Sequence, residues 1–348
     1  MINYLIKLAE KGKIPDFLIR LGIRNLNQKR LNQFRKLNLE DAEAVHQEWI
    51  DNLHDSPIAL VPEVANEQHY EVPADFFELV LGENLKYSSG YWPNNSYSLD
   101  SSEEFMLNLT VERAGLKDGM KILELGCGWG SLTCFMAKMY PNSDIVAVSN
   151  SKDQKDFILK RCKQKNIKNI KVITADMNDF KIETTFDRIV SIEMFEHMRN
   201  YKKLFKRISS FLNDEGKIFI HIFTHKEFAY PFEDKSASDW MAREFFSGGQ
   251  MPSHRLLLHF QHDVKIEKIW KVSGMHYSRT SRAWLNKMDS NKTQILDIFN
   301  KTYGLDNAKM WFQRWRIFFM ACEELFGMYN GNEWLVSHYL FEKNIKSS

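Results

Sequence analysis

Residues 120–130 read Met120-Lys121-Ile122-Leu123-Glu124-Leu125-Gly126-Cys127-Gly128-Trp129-Gly130. The run Met120-Lys121-Ile122-Leu123 predicts a buried parallel strand, which ends in an acid and three alternating glycines. From Ser131 the apolar spacing becomes helical as far as Tyr140. A strand, a glycine turn and a helix start together hold nucleotide-like ligands, because the helix N-terminus faces the ligand and no Cβ keeps the backbone away. Dinucleotide sites show G-x-G-x-x-G. The spacing here is G-x-G-x-G with Glu124 two residues ahead, the variant typical of S-adenosylmethionine (SAM) sites, which have no pyrophosphate to cradle. The turn therefore predicts SAM as cofactor and disfavours an NAD-dependent oxidoreductase.

Strand and helix signals alternate after the turn. Strands are expected at 144–149, 171–174, 186–192 and 217–223, with helices at 152–165 and 200–212. Such alternation predicts a parallel sheet with helices on both faces and a ligand beyond the carboxyl ends of the strands. Residues before 116 read as helical and aromatic-rich. From 224 to about 255 the alternation stops, and Phe228, Tyr230, Phe232, Trp240, Phe245 and Phe246 crowd the chain. An aromatic insertion after a strand end reads as a lid facing the ligand. A further strand at 265–272, a long helix at 308–326 and a closing strand at 334–341 complete the pattern. The expected organisation is an N-terminal helical cap over 1–115, contributing to the active site, and an α/β domain over 116–348 with the lid inserted at about 224–255.

The totals exclude several functions. With 348 residues and 44% hydrophobic content the chain can bury a sizeable core. Its 47 basic and 45 acidic residues give a net charge of +2, no electrostatic case for nucleic acid. Cys127, Cys134, Cys162 and Cys322 contain no C-x-x-C pair, which argues against a zinc or redox motif, and no metal is expected. Without a signal peptide, reduced thiols and a cytoplasmic location are expected. No apolar stretch reaches membrane-spanning length. The first 35 residues alternate leucine and isoleucine with basic residues, as in Leu5-Ile6-Lys7-Leu8. An interfacial membrane helix and a cap helix packed on the same chain both fit this alternation. The absence of tryptophan and the interruption at Pro15 favour the cap, so no stable membrane insertion is expected.

The fourth predicted strand runs into Ile192-Glu193-Met194-Phe195-Glu196-His197-Met198. If a helical turn begins there, Glu193, Glu196 and His197 fall at i, i+3 and i+4 and share one face at the ligand edge. Two carboxylates and an imidazole that close couple their titrations, attract a cationic amine and can take its proton. A second constellation joins Gln68-His69-Tyr70-Glu71 with Lys86-Tyr87-Ser88-Ser89-Gly90-Tyr91-Trp92. By itself it is an aromatic corner of a helical cap.

Together these motifs resemble the cyclopropane-fatty-acid synthase superfamily of SAM-dependent methyltransferases, from about Gln68 to the C-terminus. The carriers are His69-Tyr70-Glu71, Tyr87-Ser88, residues 123–130, Ser149-Asn150-Ser151 with Gln154, and Met194-Phe195-Glu196-His197. Within it the chain resembles the coclaurine and pavine N-methyltransferases, through residues 191–198, Phe245-Phe246-Ser247-Gly248-Gly249, Met251-Pro252-Ser253 and Glu324-Leu325-Phe326-Gly327. The resemblance implies a class I methyltransferase fold, a Rossmann-like doubly wound sheet. It places Tyr87 and Ser88 at the SAM carboxylate, Gly126 and Gly128 against the methionine moiety, Asn150 and Gln154 at the ribose, and Asp176 at the adenine amine, with Glu124 and Gly130 also among the cofactor-binding residues. Tyr70, Glu71, His221, Trp240, Phe246 and Tyr277 are expected to surround the substrate. Lipid-cyclopropanating members usually carry glycine in place of Glu193 and cysteine in place of Ser89. There Glu196, His221 and Tyr277 would match the other ligands of a bicarbonate that serves as base. Amine-branch members often keep that cysteine, so Ser89 alone decides little.

The expected activity is therefore SAM-dependent N-methylation of a small, ring-containing amine, by in-line transfer with Glu196 or His197 as base and Glu193 as anchor. The alternative is a cyclopropane-fatty-acyl-phospholipid synthase or related lipid methyltransferase on the same fold. A SAM-binding protein without catalysis is disfavoured by the intact Glu193, Glu196 and His197 cluster. A homodimer is left open.

Overall fold

The computed structural model describes residues 2–60, 72–94 and 97–345. Helices α1 (Ile2–Glu10), α2 (Asp16–Arg35), α3 (Leu39–Asp55), α4 (Ala74–Val80) and α5 (Leu99–Ala114) precede the first strand. Then follow β1 (Lys121–Leu125), α6 (Ser131–Met139), β2 (Asp144–Ser149), α7 (Lys152–Gln164), β3 (Ile170–Thr174), β4 (Phe186–Ile192), a short 3-10 turn (Phe195–His197), α8 (Tyr201–Ser209) and β5 (Leu212–His225). The chain continues through β6 (Tyr230–Pro231), α9 (Trp240–Glu244), β7 (Gln250–Met251), β8 (Val264–Val272), α10 (Gly274–Ser290), α11 (Lys292–Tyr303), α12 (Leu305–Gly327) and β9 (Trp334–Lys343).

The large sheet has the order β3-β2-β1-β4-β5-β9-β8. β1 to β5 are mutually parallel, and β9 runs antiparallel between β5 and β8. This is the expected doubly wound α/β sheet. Its order reverses at β1 and β4, which lie side by side. The glycine turn after β1 and the acidic segment after β4 thus emerge together at the carboxyl edge, where the crossovers diverge and leave a crevice. β1 is buried along Ile122, Leu123, Glu124 and Leu125, the continuous pattern of a strand covered on both faces.

The amino-terminal helices dock on α12. Arg20 bridges Glu323 and Glu324 at 2.8 Å each, and Arg316 joins Asp16 to Asp289, at 2.7 Å each. Leu31 is fully buried, and Ile6, Ile19, Ile23 and Phe34 pack against the same core. Phe17, Leu18 and Leu21 remain exposed, so only part of the apolar pattern is used against the chain itself. No helix among the described residues is long and apolar enough to cross a membrane. The residues expected to form a lid contain the β6–β7 pair and α9, stitched down by Arg199, which donates to the Gly248 and Gly249 carbonyls at 3.2 and 2.8 Å.

Two helices escape the sequence pattern, α10 and α11. The buried face of α10 includes Tyr277, Thr280, Ser281, Trp284, Leu285 and Met288. That spacing is helical, but hydroxyl residues hold two of the core positions and break the apolar stripe. The start of α10 is fixed by Gly274. A Cβ there would stand 2.0 Å from the Trp334 carbonyl oxygen and 2.5 Å from that of Phe326, both backbone atoms. Gly274→Ala must push α10 off β9, so we expect it to destabilise the protein by about 1–3 kcal/mol or more and to lower Tm by several degrees in calorimetry. A Tm equal to wild type would show that the contact is compliant.

Candidate active site

Two clefts open at the carboxyl edge of the sheet. One is lined by Ser149, Asn150, Asp176, Met177 and Gly248, and the other by Tyr87, Ser88, Glu124, Gly128, Gln154 and Glu196. They enclose about 720 and 900 Å³ including their mouths. Gly126, Glu193 and His197 line both.

The glycine turn is held by the neighbouring strand, since the Gly126 and Cys127 N–H groups both donate to the Val148 carbonyl at 3.0 Å. Gly128 has a φ of +52° and open space where a Cβ would point. Gly126, at φ +77°, faces Met194, whose Cβ would lie 2.9 Å from an added Cβ. Gly130 differs from both. It lies outside the two clefts, and a Cβ there would sit 2.7 Å from Ile158, so its lack of a side chain serves the packing of α6 against α7. Gln154 turns its Oε1 to the Ser149 hydroxyl at 2.6 Å, while its buried Nε2 has no hydrogen-bond partner. The Trp129 indole N–H is likewise buried and unpartnered. Asp176 accepts the Asn178 N–H at 2.7 Å, and Asn178 accepts the Ala59 N–H at 3.0 Å, which makes the segment after α3 a wall of the first cleft. Glu124 accepts from the Thr133 hydroxyl at 2.5 Å, and burial pushes its carboxyl up to about 8. Spare donors, glycine backbone and a buried acid suit a nucleoside joined to an amino-acid tail. The residues present fit SAM.

Between the clefts lies the acidic cluster, and its local geometry differs from the expected helical face. Glu193 has φ +48°, a left-handed conformation at the end of β4, and helical structure starts two residues later at Phe195. Left-handed backbone in a non-glycine residue costs roughly 1–2 kcal/mol. The structure holds it there. Its N–H donates to the His221 carbonyl at 2.8 Å. Its carboxylate receives the Tyr277 hydroxyl at 2.6 Å on Oε2, and the Ser89 N–H at 3.1 Å and His221 Nε2 at 3.2 Å on Oε1. Glu196, by contrast, has a buried Oε2 with no hydrogen-bond partner.

Burial raises both carboxyls, and the nearby Glu193 charge lifts Glu196 further, to well above the usual carboxylate range. With the donors concentrated on Glu193, a shared proton rests on Glu196. Burial drives His197 down to about 4, so its imidazole is neutral at pH 7. That ring stacks on Phe246 of the insertion, at 5.8 Å between centroids and 11° between planes.

Sequence reasoning gave Lys86 no role. It is buried in the second cleft, donates to the Ser88 hydroxyl, and is pushed down to about 8 by desolvation. The only sequence signal is a lysine between Leu85 and Tyr87, both in an apolar setting. Of the other expected residues, Tyr87, Ser88, Asn150, Asp176, Phe246 and Tyr277 line the clefts. Trp240 does not. Its indole donates to Glu10 at 3.0 Å and ties the insertion to α1. His221 lies behind Glu193, fully buried. Tyr70 and Glu71 lie outside the described residues.

Comparison with known proteins bears on the family and the fold. Residues 61–334 match the family of mycolic acid cyclopropane synthetase. The (S)-coclaurine N-methyltransferase of Thalictrum flavum subsp. glaucum is 39% identical over 347 residues, which cover 99% of this chain and 96% of that protein. The pavine N-methyltransferase of the same plant is 36% identical, over 97% of this chain and 96% of its own length. A crystal structure of coclaurine N-methyltransferase bound to N-methylheliamine and SAH superimposes with a TM-score of 0.95 at 37% identity, covering 98% of this chain and 99% of that one. A family match over most of the chain, with relatives this similar along nearly its whole length, places the protein: it belongs to the mycolic acid cyclopropane synthetase family and is a SAM-dependent methyltransferase.

Proposed function

We propose that the protein methylates the nitrogen of a small, ring-containing amine, and the anchored carboxylate of Glu193 is the observation that carries this reading. His221 and Tyr277, which the family resemblance would assign to a bicarbonate, spend their donors on Glu193. The site thus carries its own tethered anion, and a free anion beside it would meet a like charge. A cation is the favoured guest. The relatives named as coclaurine and pavine N-methyltransferases, and the N-methylheliamine bound in the coclaurine N-methyltransferase crystal structure, support a ring-bearing acceptor. Phe223, Phe246, Trp284 and Phe318 give the second cleft flat apolar walls suited to such a ring.

Held at the glycine turn between the two clefts, SAM would supply an electrophilic methyl group. The residues do the rest. Holding donor and acceptor in line is worth roughly 7–11 kcal/mol of barrier. An ammonium has no lone pair, so a base must first take its proton. Glu196 has the stronger claim. Its buried carboxylate is a far better base than an imidazole held near 4, and an incoming cation favours its ionised form. His197, stacked on Phe246, positions the acceptor. Glu193 stays an anion and anchors the ammonium.

Three outcomes are expected. In isothermal titration the protein binds SAM or SAH in the micromolar range and NAD far more weakly, while Gly128→Val, which puts a branched side chain at φ +52°, abolishes SAH binding; tighter NAD than SAH binding would reject the cofactor assignment. With labelled SAM offered to heliamine and, separately, to unsaturated phospholipid, label enters the amine without added bicarbonate; bicarbonate-dependent cyclopropane formation with no amine methylated would reverse the reading. Glu196→Gln and His197→Ala lower turnover at least about tenfold with SAH affinity little changed. Because Glu196 acts only when ionised and its carboxyl is raised, wild-type activity climbs with pH above the ordinary carboxylate range. Glu196→Gln should lose that limb, and wild-type turnover in both variants would remove Glu196 from the proton transfer and His197 from positioning the acceptor.

A further inference from the structure

His221, His338 and Trp270 stand in register on adjacent strands β5, β9 and β8. Arg113, in the last turn of α5, lies over this row. Its guanidinium stacks on the Trp270 ring at 5.0 Å, and its Nη1 meets His338 Nδ1 at 2.8 Å. His338 Nε2 meets His221 Nδ1 at 2.9 Å. His221 Nε2 meets Glu193 Oε1 at 3.2 Å. Both imidazoles are fully buried, and none of these three contacts lies in either cleft except at the Glu193 end.

The order of donors along this row is forced. A guanidinium only donates, so His338 Nδ1 must accept. The proton of the neutral His338 ring is then on Nε2, which donates to His221 Nδ1. That nitrogen is an acceptor, so the proton of His221 sits on Nε2 and points at Glu193. Neither ring can be an imidazolium, because a second N–H would face the donor behind it. Burial, with Lys86 and Arg113 as nearby cations, favours the neutral rings for the same reason. The row cannot export a proton, since its outer end is an arginine that stays charged. It works in one direction, as a fixed line of dipoles ending on a carboxylate.

We propose that Arg113 and His338 are positioning residues that set the tautomer of His221 and thereby keep Glu193 ionised and aimed at the acceptor amine. This rests on the N-methyltransferase reading for its consequence, but not for its geometry. Without the Arg113 donor, His338 and His221 can reverse their protons together. A bare Nε2 lone pair would then face Glu193 Oε1, and the carboxylate must take a proton or swing away. Either change weakens the hold on an ammonium without touching the nucleoside cleft.

The test combines imidazole ¹⁵N NMR with kinetics on the full chain. In wild type, His221, assigned by its loss in His221→Gln, should show the Nε2–H tautomer with no amine present. Arg113→Met keeps the stem over Trp270 but removes the donor, and should give a mixed or Nδ1–H signal. With heliamine as acceptor it should lower kcat/KM for the amine by about 10- to 100-fold, the scale of a small misplacement, with SAH affinity within about threefold. Arg113→Lys restores a single cationic donor and should recover the tautomer and most of the activity. His338→Phe, less certain to fold, is expected to behave as Arg113→Met. An unchanged His221 tautomer in Arg113→Met would overturn the proposal, as would equal losses of SAH affinity and turnover, or no recovery in Arg113→Lys. If wild type methylates no amine but the tautomer responds as described, the substrate reading fails while the row's control of His221 stands.

Discussion

The carboxylate of Glu193 is the point to which the rest of the site is built. Its donors come from three separate parts of the chain: the loop after α4 through Ser89, β5 through His221 and α10 through Tyr277. Each part must arrive with ångström accuracy, and each arrival has a visible cause. α10 reaches β9 because Gly274 has no side chain. The loop at Gly90 is fixed by Thr280, whose hydroxyl accepts the Gly90 N–H and the Trp92 indole N–H, both at 3.0 Å. A Cβ on Gly90 would lie 2.6 Å from the Ser102 hydroxyl and 3.1 Å from that of Thr280, so α5 and α10 both close on this loop. Buried Thr280 thus puts hydrogen bonds, rather than apolar packing, between α10 and this loop, and a satisfied buried polar group of this kind specifies one arrangement more sharply than oily contacts would.

The left-handed backbone at Glu193 belongs to the same design. A strained residue persists only where its surroundings determine it, and such residues gather at functional sites. The resemblance to lipid-modifying relatives gives the strain a context. They usually carry glycine at this position, the residue for which φ +48° has no steric cost. Glutamate there keeps the turn and adds an anion, at a cost in backbone energy that only a role in the site repays. One substitution would therefore convert a pocket for a free anion into a pocket for a cation while leaving the sheet and the nucleoside cleft unchanged.

Much of this was legible before the structure. The strand, glycine and helix pattern at 120–140 gave the sheet edge, because a buried parallel strand is a continuous apolar run and a glycine turn is unambiguous punctuation. The Glu193, Glu196 and His197 cluster was legible as chemistry but not as geometry. Their i, i+3, i+4 spacing suggested a helical face, whereas a left-handed residue and a short 3-10 turn bring them together. Conformation at a single residue leaves no periodic signal. Gly130 looked like a ligand contact for the same reason, since a glycine needed for packing and one needed for ligand approach are spelled alike. α10 was missed because Thr280 and Ser281 occupy core positions. Lys86 and the Arg113–His338–His221 row were invisible because their meaning lies in neighbours tens to hundreds of residues away, and in β-strand register that one sequence does not display.

Under the proposed reaction, the charges give a reason for two acids rather than one. Before transfer, two cations would meet in the site, the sulfonium and the ammonium. Beside the apolar side chains of Phe223, Phe246, Trp284 and Phe318 their repulsion would be screened less than in open solvent. A single carboxylate that also served as base would become neutral on taking the proton, at the moment when the remaining positive charge still has to be held. Dividing the work avoids this. Burial raises the Glu193 carboxyl too, but its three donors and nearby Lys86 oppose that rise and favour its charged form. Glu196, with an unpartnered oxygen and a raised carboxyl, gives its charge up. The two environments drive two identical side chains apart in acidity, the condition under which a pair of acids can act as anchor and base in the same step.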